Sequence, residues 1–79
     1  MLDKKIFGAK LLELREKRGM SQKEVADLLK VTRTQISDLE NGKTGTTLDR
    51  LLQLCELYRV SADYLLGITD DPAWRGSEA

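Results

Sequence analysis

Histidine is absent from this 79-residue chain, and cysteine and proline occur once each. A single thiol cannot close an internal disulfide. Without histidine, neither a Ser–His nor a Cys–His catalytic pair can be assembled. A structural zinc site needs about four Cys, His or carboxylate ligands, so neither a zinc finger nor any other metal or cofactor is expected. One proline and six glycines favour helices over many short strands. No stretch approaches the roughly 18 apolar residues of a membrane span, and the opening MLDKKIFGAK lacks the apolar run of a signal peptide. The expectation is a cytoplasmic protein with no membrane partner. The acids are spread over helix surfaces without a Gly-rich phosphate loop or a convergent polar pocket, which argues against an enzyme. A helical chain of this size also leaves little room for a ligand cavity of about 300 Å³, so no small-molecule ligand is expected.

What is present is charge, in balance: 13 Lys/Arg against 13 Asp/Glu. Zero net charge taken alone counts against a polyanionic partner, but the distribution is uneven. Residues 1–43 carry ten basic and seven acidic side chains, a net +3, and residues 44–79 carry three and six, a net −3. A basic front with an acidic back suits a protein that turns one face to phosphates. The length fits one small domain, which buries only about 60% of its unfolded surface.

Apolar spacing and cap residues divide the chain into five helices. Residues 7–18 form the first, with Phe7, Leu11 and Leu14 on one stripe and Leu12 beside it. Gly19 stops it, and Met20 precedes the next cap like a hydrophobic staple. Ser21 to Glu24 is an S-x-x-E capping box that starts a second helix, with Val25, Ala26 and Leu29 inward. Lys30-Val31 makes a tight turn. Thr32 to Gln35, a T-x-x-Q box eleven residues after the first, starts a third helix. Ile36 and Leu39 point inward there, and Thr34, Ser37, Asp38 and Asn41 lie on the far side, with Arg33 at the leading end. After the loop 43–46, Thr46 or Thr47 caps a fourth helix whose inward stripe is expected to be Leu48, Leu51, Leu52, Cys55 and Tyr58, broadened by Leu54 and Leu57. Ser61 caps a short fifth helix closed by Gly67. Residues 1–68 make the domain, and 69–79 read as a flexible tail that Ile68 and Trp74 can anchor in part.

The run Leu14 to Ala26, then VTRTQISDLENGK, then SADYLLG resembles the phage repressor and Cro-like (Xre) helix-turn-helix domain, over about residues 6–68. The resemblance implies an all-α, compact five-helix repressor-like fold with the helix-turn-helix at helices 2 and 3. It implies a sequence-specific transcriptional regulator, most simply a repressor, bound as a homodimer to a palindromic operator in double-stranded DNA. Matched residue by residue, Arg33, Thr34, Ser37 and Asp38 stand at or between base-reading positions. Gln22, Asn41 and Lys43 stand at phosphate-contacting ones. Arg15 and Glu40 match an ion pair tying helix 1 to helix 3. The sequence departs from the family pattern at Lys30 and Arg59, where glycine is common, and at Asp38, an acid on the expected DNA side. A left-handed conformation at Lys30 costs on the order of 1 kcal/mol.

The residue types suit that chemistry. Small or polar outward side chains let a helix enter the major groove, and Arg33 can pair bidentately with guanine O6 and N7 or make a plain phosphate contact. Thr34 suits a thymine methyl or a phosphate. Unpaired N–H groups at the starts of helices 2 and 3, around Gln22 and Thr32, attract phosphate oxygens, and Lys23 and Lys43 border the same face. Asp38 either accepts from a cytosine amino group or is repelled by phosphates. Cys55 reads as a small core residue. Tyr64, Leu65, Ile68 and Trp74 are the expected dimer surface. The competing reading is a protein-interaction module of the same fold, an antitoxin-like or adaptor protein, which zero net charge and Asp38 favour slightly.

Overall fold

The computed structural model describes residues 2–73, which form five helices and no strand: α1 (Lys4–Lys17), α2 (Gln22–Leu29), α3 (Arg33–Glu40), α4 (Leu48–Tyr58) and α5 (Ala62–Leu66). Each is started by a side-chain cap: Asp3, Ser21, Thr32, Thr47 and Ser61 accept from backbone N–H groups of their first turns. At Ser21 and Thr32 the capping boxes are closed in both directions. α1 begins three residues before the position that the apolar stripe suggests. The cause is the Asp3 carboxylate, which accepts from Lys5 N–H at 3.0 Å and Ile6 N–H at 3.1 Å.

The helices close around Phe7, Leu11, Val25, Ala26, Leu29, Ile36, Leu39, Leu54, Cys55, Tyr58 and Leu65. The stripe of α4 differs from expectation. Leu51, Leu54, Cys55 and Tyr58 are buried, whereas Leu48 is 85% and Leu52 57% exposed. At 100° per residue the four buried positions share one arc, and Leu48 and Leu52 fall on its flank. Leu54, placed at the edge of the stripe by sequence, is the most deeply buried of the four. Leu65 is fully buried, which removes it from the expected dimer surface; Tyr64 is half-buried and Ile68 is 71% exposed. Trp74 lies outside the described residues.

Three basic side chains reach across the fold to carbonyls at or near the C-terminal ends of other helices. Arg18 of α1 donates to Tyr58 O at 3.0 Å, Arg50 of α4 to Leu29 O at 3.0 Å, and Lys10 of α1 to Tyr64 O at 2.7 Å. Carbonyls in the last turn of a helix carry the negative end of its dipole and keep accepting capacity, so cations are stabilised there; Tyr64 O accepts from Gly67 N–H as well. Lys10 also lies 4.7 Å above the Tyr64 ring. α2 and α4 end on left-handed residues that are not glycine, Lys30 (φ 59°) and Arg59 (φ 56°). Residues beyond α5 turn back, with Ser61 N–H donating to Pro72 O at 3.3 Å.

Candidate nucleic-acid interface

α3 packs on α1 and α2 with Ile36, Leu39 and Glu40 inward. The helical angle then sets Thr34, Asn41, Asp38 and Ser37 on the opposite arc, away from the core. Arg33, Thr34 and Asn41 are exposed; Ser37 and Asp38 are half-buried. Asn41 donates from Nδ2 to Ser37 Oγ at 3.2 Å, which joins two of these groups at the trailing end of the helix. Asp38 borders a cleft of about 270 Å³ shared with Gln35, Thr47 and Arg50, between α3 and the start of α4. It stands at the margin of the polar arc.

A chain of polar contacts runs along α3, from Glu40, its last residue, back to Arg33, its first. Arg15 Nε donates to Glu40 Oε2 at 2.7 Å and Arg15 Nη2 to Glu40 Oε1 at 3.1 Å, a two-pronged pair whose side chains are 13% and 4% exposed. Arg15 Nη1 donates to Met20 O at 2.8 Å, fixing the turn before α2. The buried carboxylate holds the Arg15 guanidinium even more firmly protonated than usual. Gln22 Nε2 donates to Glu40 Oε1 at 3.1 Å, and its Oε1 accepts from Arg33 Nε at 3.4 Å. Gln22 is thus half-buried and bridges the ion pair to Arg33; the family resemblance implies for it both a phosphate contact and a part in orienting the recognition helix. Nearby, burial pushes the Tyr58 hydroxyl up to about 12, with the Glu40 charge adding to the effect.

Other positions named from sequence are distributed as follows. Thr32 Oγ1 accepts from Gln35 N–H at 3.1 Å, which leaves the Thr32 O–H free to donate. The N–H groups of Arg33 and Thr34 face open space at the helix start, and those of Gln22 and Lys23 do the same at α2. Lys23 is paired with Asp27 at 3.0 Å on the surface of α2. Lys43 is exposed just past α3. Cys55 is buried and free, and burial raises its thiol, which makes it unreactive.

Two glycines hold the trailing end, and of these Gly8 was not singled out in the sequence. A Cβ on Gly8 would sit 2.3 Å from Leu39 O and 2.6 Å from Glu40 O, so α1 touches the end of α3 backbone to backbone. Gly42 has φ +73° and would place a Cβ 2.9 Å from Lys5 Cα. The only signal for Gly8 was a glycine inside a helical pattern, a common mark of close packing.

A convex polar helix with a capped leading end, held behind by a second short helix across a tight turn, defines the helix-turn-helix class. Residues 11–65 match the helix-turn-helix family model, and the chain belongs to that family. The HTH-type transcriptional regulator ImmR of Bacillus subtilis is 43% identical over 61 residues, 77% of this chain and 48% of ImmR. The ImmF control region 10 kDa protein of Bacillus phage phi105 is 38% identical over 60 residues, 72% of this chain and 67% of that protein. The crystal structure of the restriction-modification controller protein C.AhdI from Aeromonas hydrophila aligns with a TM-score of 0.72 at 30% identity, covering 80% of this chain and 96% of C.AhdI. The chain spans about half the length of ImmR, and 60% and 56% of two further regulators of Bacillus subtilis. Among the described residues, no helix is long and apolar enough to cross a membrane.

Proposed function

We propose that this chain is the DNA-reading part of a sequence-specific transcriptional regulator, most simply a cytoplasmic repressor that binds a palindromic operator as a homodimer. Residues 1–68 are the DNA-binding unit, and 69–79 a tail outside it. α3 lies in the major groove. Arg33 reads guanine, Thr34 and Ser37 line the groove, and Asp38 reads an edge base. Gln22, Lys23, Thr32, Asn41 and Lys43 meet the flanking phosphates. The partner in the dimer is a second copy, for which Ile68 offers exposed apolar surface.

The observation that carries this reading is the Arg15–Glu40–Gln22–Arg33 chain. Its last link engages Arg33 through Nε and leaves both Nη groups to pair with guanine O6 and N7. The relatives that are transcriptional regulators support it. Selection of bound sites from a random DNA pool tests it: a recovered palindrome with half-sites about one helical turn apart is expected. Against that site, Arg33→Ala lowers discrimination by about 1–3 kcal/mol and leaves weak, salt-sensitive binding. Equal loss on every sequence assigns Arg33 to phosphate alone. No binding to any duplex at about 50 mM salt, where phosphate contacts are strongest, overturns the DNA reading in favour of a protein partner.

A further inference from the structure

We infer that Lys4, Lys5 and Lys43 form a second phosphate-binding cluster at the trailing end of α3, which extends the DNA contact beyond the helix-turn-helix itself. The inference rests on the DNA-binding reading above. Its first support is placement. The Asp3 cap holds the first turn of α1 in helical form from Lys4 onward. That turn sits against the loop leaving α3: a Cβ on Gly42 would lie 2.9 Å from Lys5 Cα and 3.0 Å from Lys5 Cγ, and one on Gly45 would lie 3.8 Å from Lys4 Cε. Lys43 stands between these two glycines. Two lysines of α1 and one of the loop, distant in sequence, are therefore neighbours in the fold.

The second support is availability. All three lysines are exposed, and none takes part in the ion pairs found among the described residues, which join Arg15 to Glu40, Lys17 to Glu13 and Lys23 to Asp27. The one acid in the cluster, Asp3, is turned to the N–H groups of Lys5 and Ile6. The third support is reach. α3 has eight residues, about 12 Å of helix, comparable to the roughly 12 Å width of the major groove. With Arg33 at one end of such a helix, groups at the other end come to the opposite phosphate backbone. Asn41 lies on the outward arc there, and the chain leaves α3 through it directly into Lys43.

The test compares the wild type, Lys4→Gln/Lys5→Gln and a charge-matched control, Lys17→Gln/Arg59→Gln, by fluorescence anisotropy on the pool-selected duplex and on a random duplex. Each is titrated from about 50 to 200 mM salt, with melting curves to confirm folding. Loss of two phosphate contacts makes the slope of log K against log salt shallower by about 1.8 and weakens binding on the order of 60-fold near 0.1 M salt, equally on both duplexes. The control keeps the wild-type slope. A wild-type slope in Lys4→Gln/Lys5→Gln overturns the cluster and leaves the regulator reading standing, and so does an equal change in the control. A wild type that binds neither duplex overturns both.

Discussion

The two ends of α3 are held by different kinds of force. At the leading end, polar groups hold Arg33: a capping box, and a glutamine that ties it to the Arg15–Glu40 pair two turns along the helix. At the trailing end, backbone meets backbone at Gly8 and Gly42 with no space for a methyl group. Polar links can exchange one partner for another, as a guanidinium must when it meets a base. Steric contact cannot adapt, and it sets where the helix stands. The difference separates aiming from anchoring: one end adjusts to the ligand, the other fixes the frame in which it adjusts.

Changes at the anchor should therefore have the largest effect. Gly8→Val drives its side chain into the Leu39 and Glu40 carbonyls and should cost more than about 4 kcal/mol, enough to unfold a domain of this size. Gly45→Ala is the matched control. Its Cβ meets only Lys4 Cε at 3.8 Å, and chemical denaturation should register within about 0.5 kcal/mol of wild type. A small effect of Gly8→Val would erase the distinction between the ends.

Next in size is Glu40→Ala, which leaves Arg15 charged and without its partner in a mostly buried site. About 3 kcal/mol of stability should be lost by the same measurement. Glu40→Gln keeps an acceptor for Gln22 and should recover part of that loss. It should also retain site preference better than the alanine variant, because Gln22 stays oriented toward Arg33. If both variants lose stability equally, the carboxylate charge alone matters and the aiming chain is not a chain.

The smallest effect belongs to Lys30, between α2 and α3, which adopts φ 59° at the end of α2. Lys30→Gly should raise stability by up to about 1 kcal/mol by removing the left-handed strain, and should leave site preference unchanged. A drop in stability would mean that the lysine side chain contributes more than its backbone conformation costs.

Much of this organisation was legible in the sequence because it depends on near neighbours. Caps act over three residues, and both capping boxes follow from local pattern; Lys30 and Arg59 were marked by the family resemblance, as positions where glycine is common. The Arg15–Glu40 link came through the family resemblance. What escaped was set by contacts across long sequence separations. Gly8 is small because Leu39 lies against it, and Leu48 and Leu52 are exposed because the neighbours of α4 cover only the Leu51–Tyr58 arc. Asp3 was missed for a different reason: it stands before the first apolar residue of the stripe, where periodicity is silent. Of the candidate site, the arc Thr34–Ser37–Asn41 was readable from helical period alone. The inward half of Gln22 was not, because it depends on a carboxylate eighteen residues away.

The cross-links made by Lys10, Arg18 and Arg50 change what a balanced charge count means. Cations paired with carboxylates, Arg15, Lys17 and Lys23, cancel where they stand, and Lys10, Arg18 and Arg50 are drawn back onto helix-end carbonyls. Among the described residues, Arg33 and the lysines at positions 4, 5 and 43 have no such acid partner, and they lie toward α3 or its flanks. A molecule neutral in sum can thus turn a mainly basic surface to a polyanion, with Asp38 as the acid at its margin.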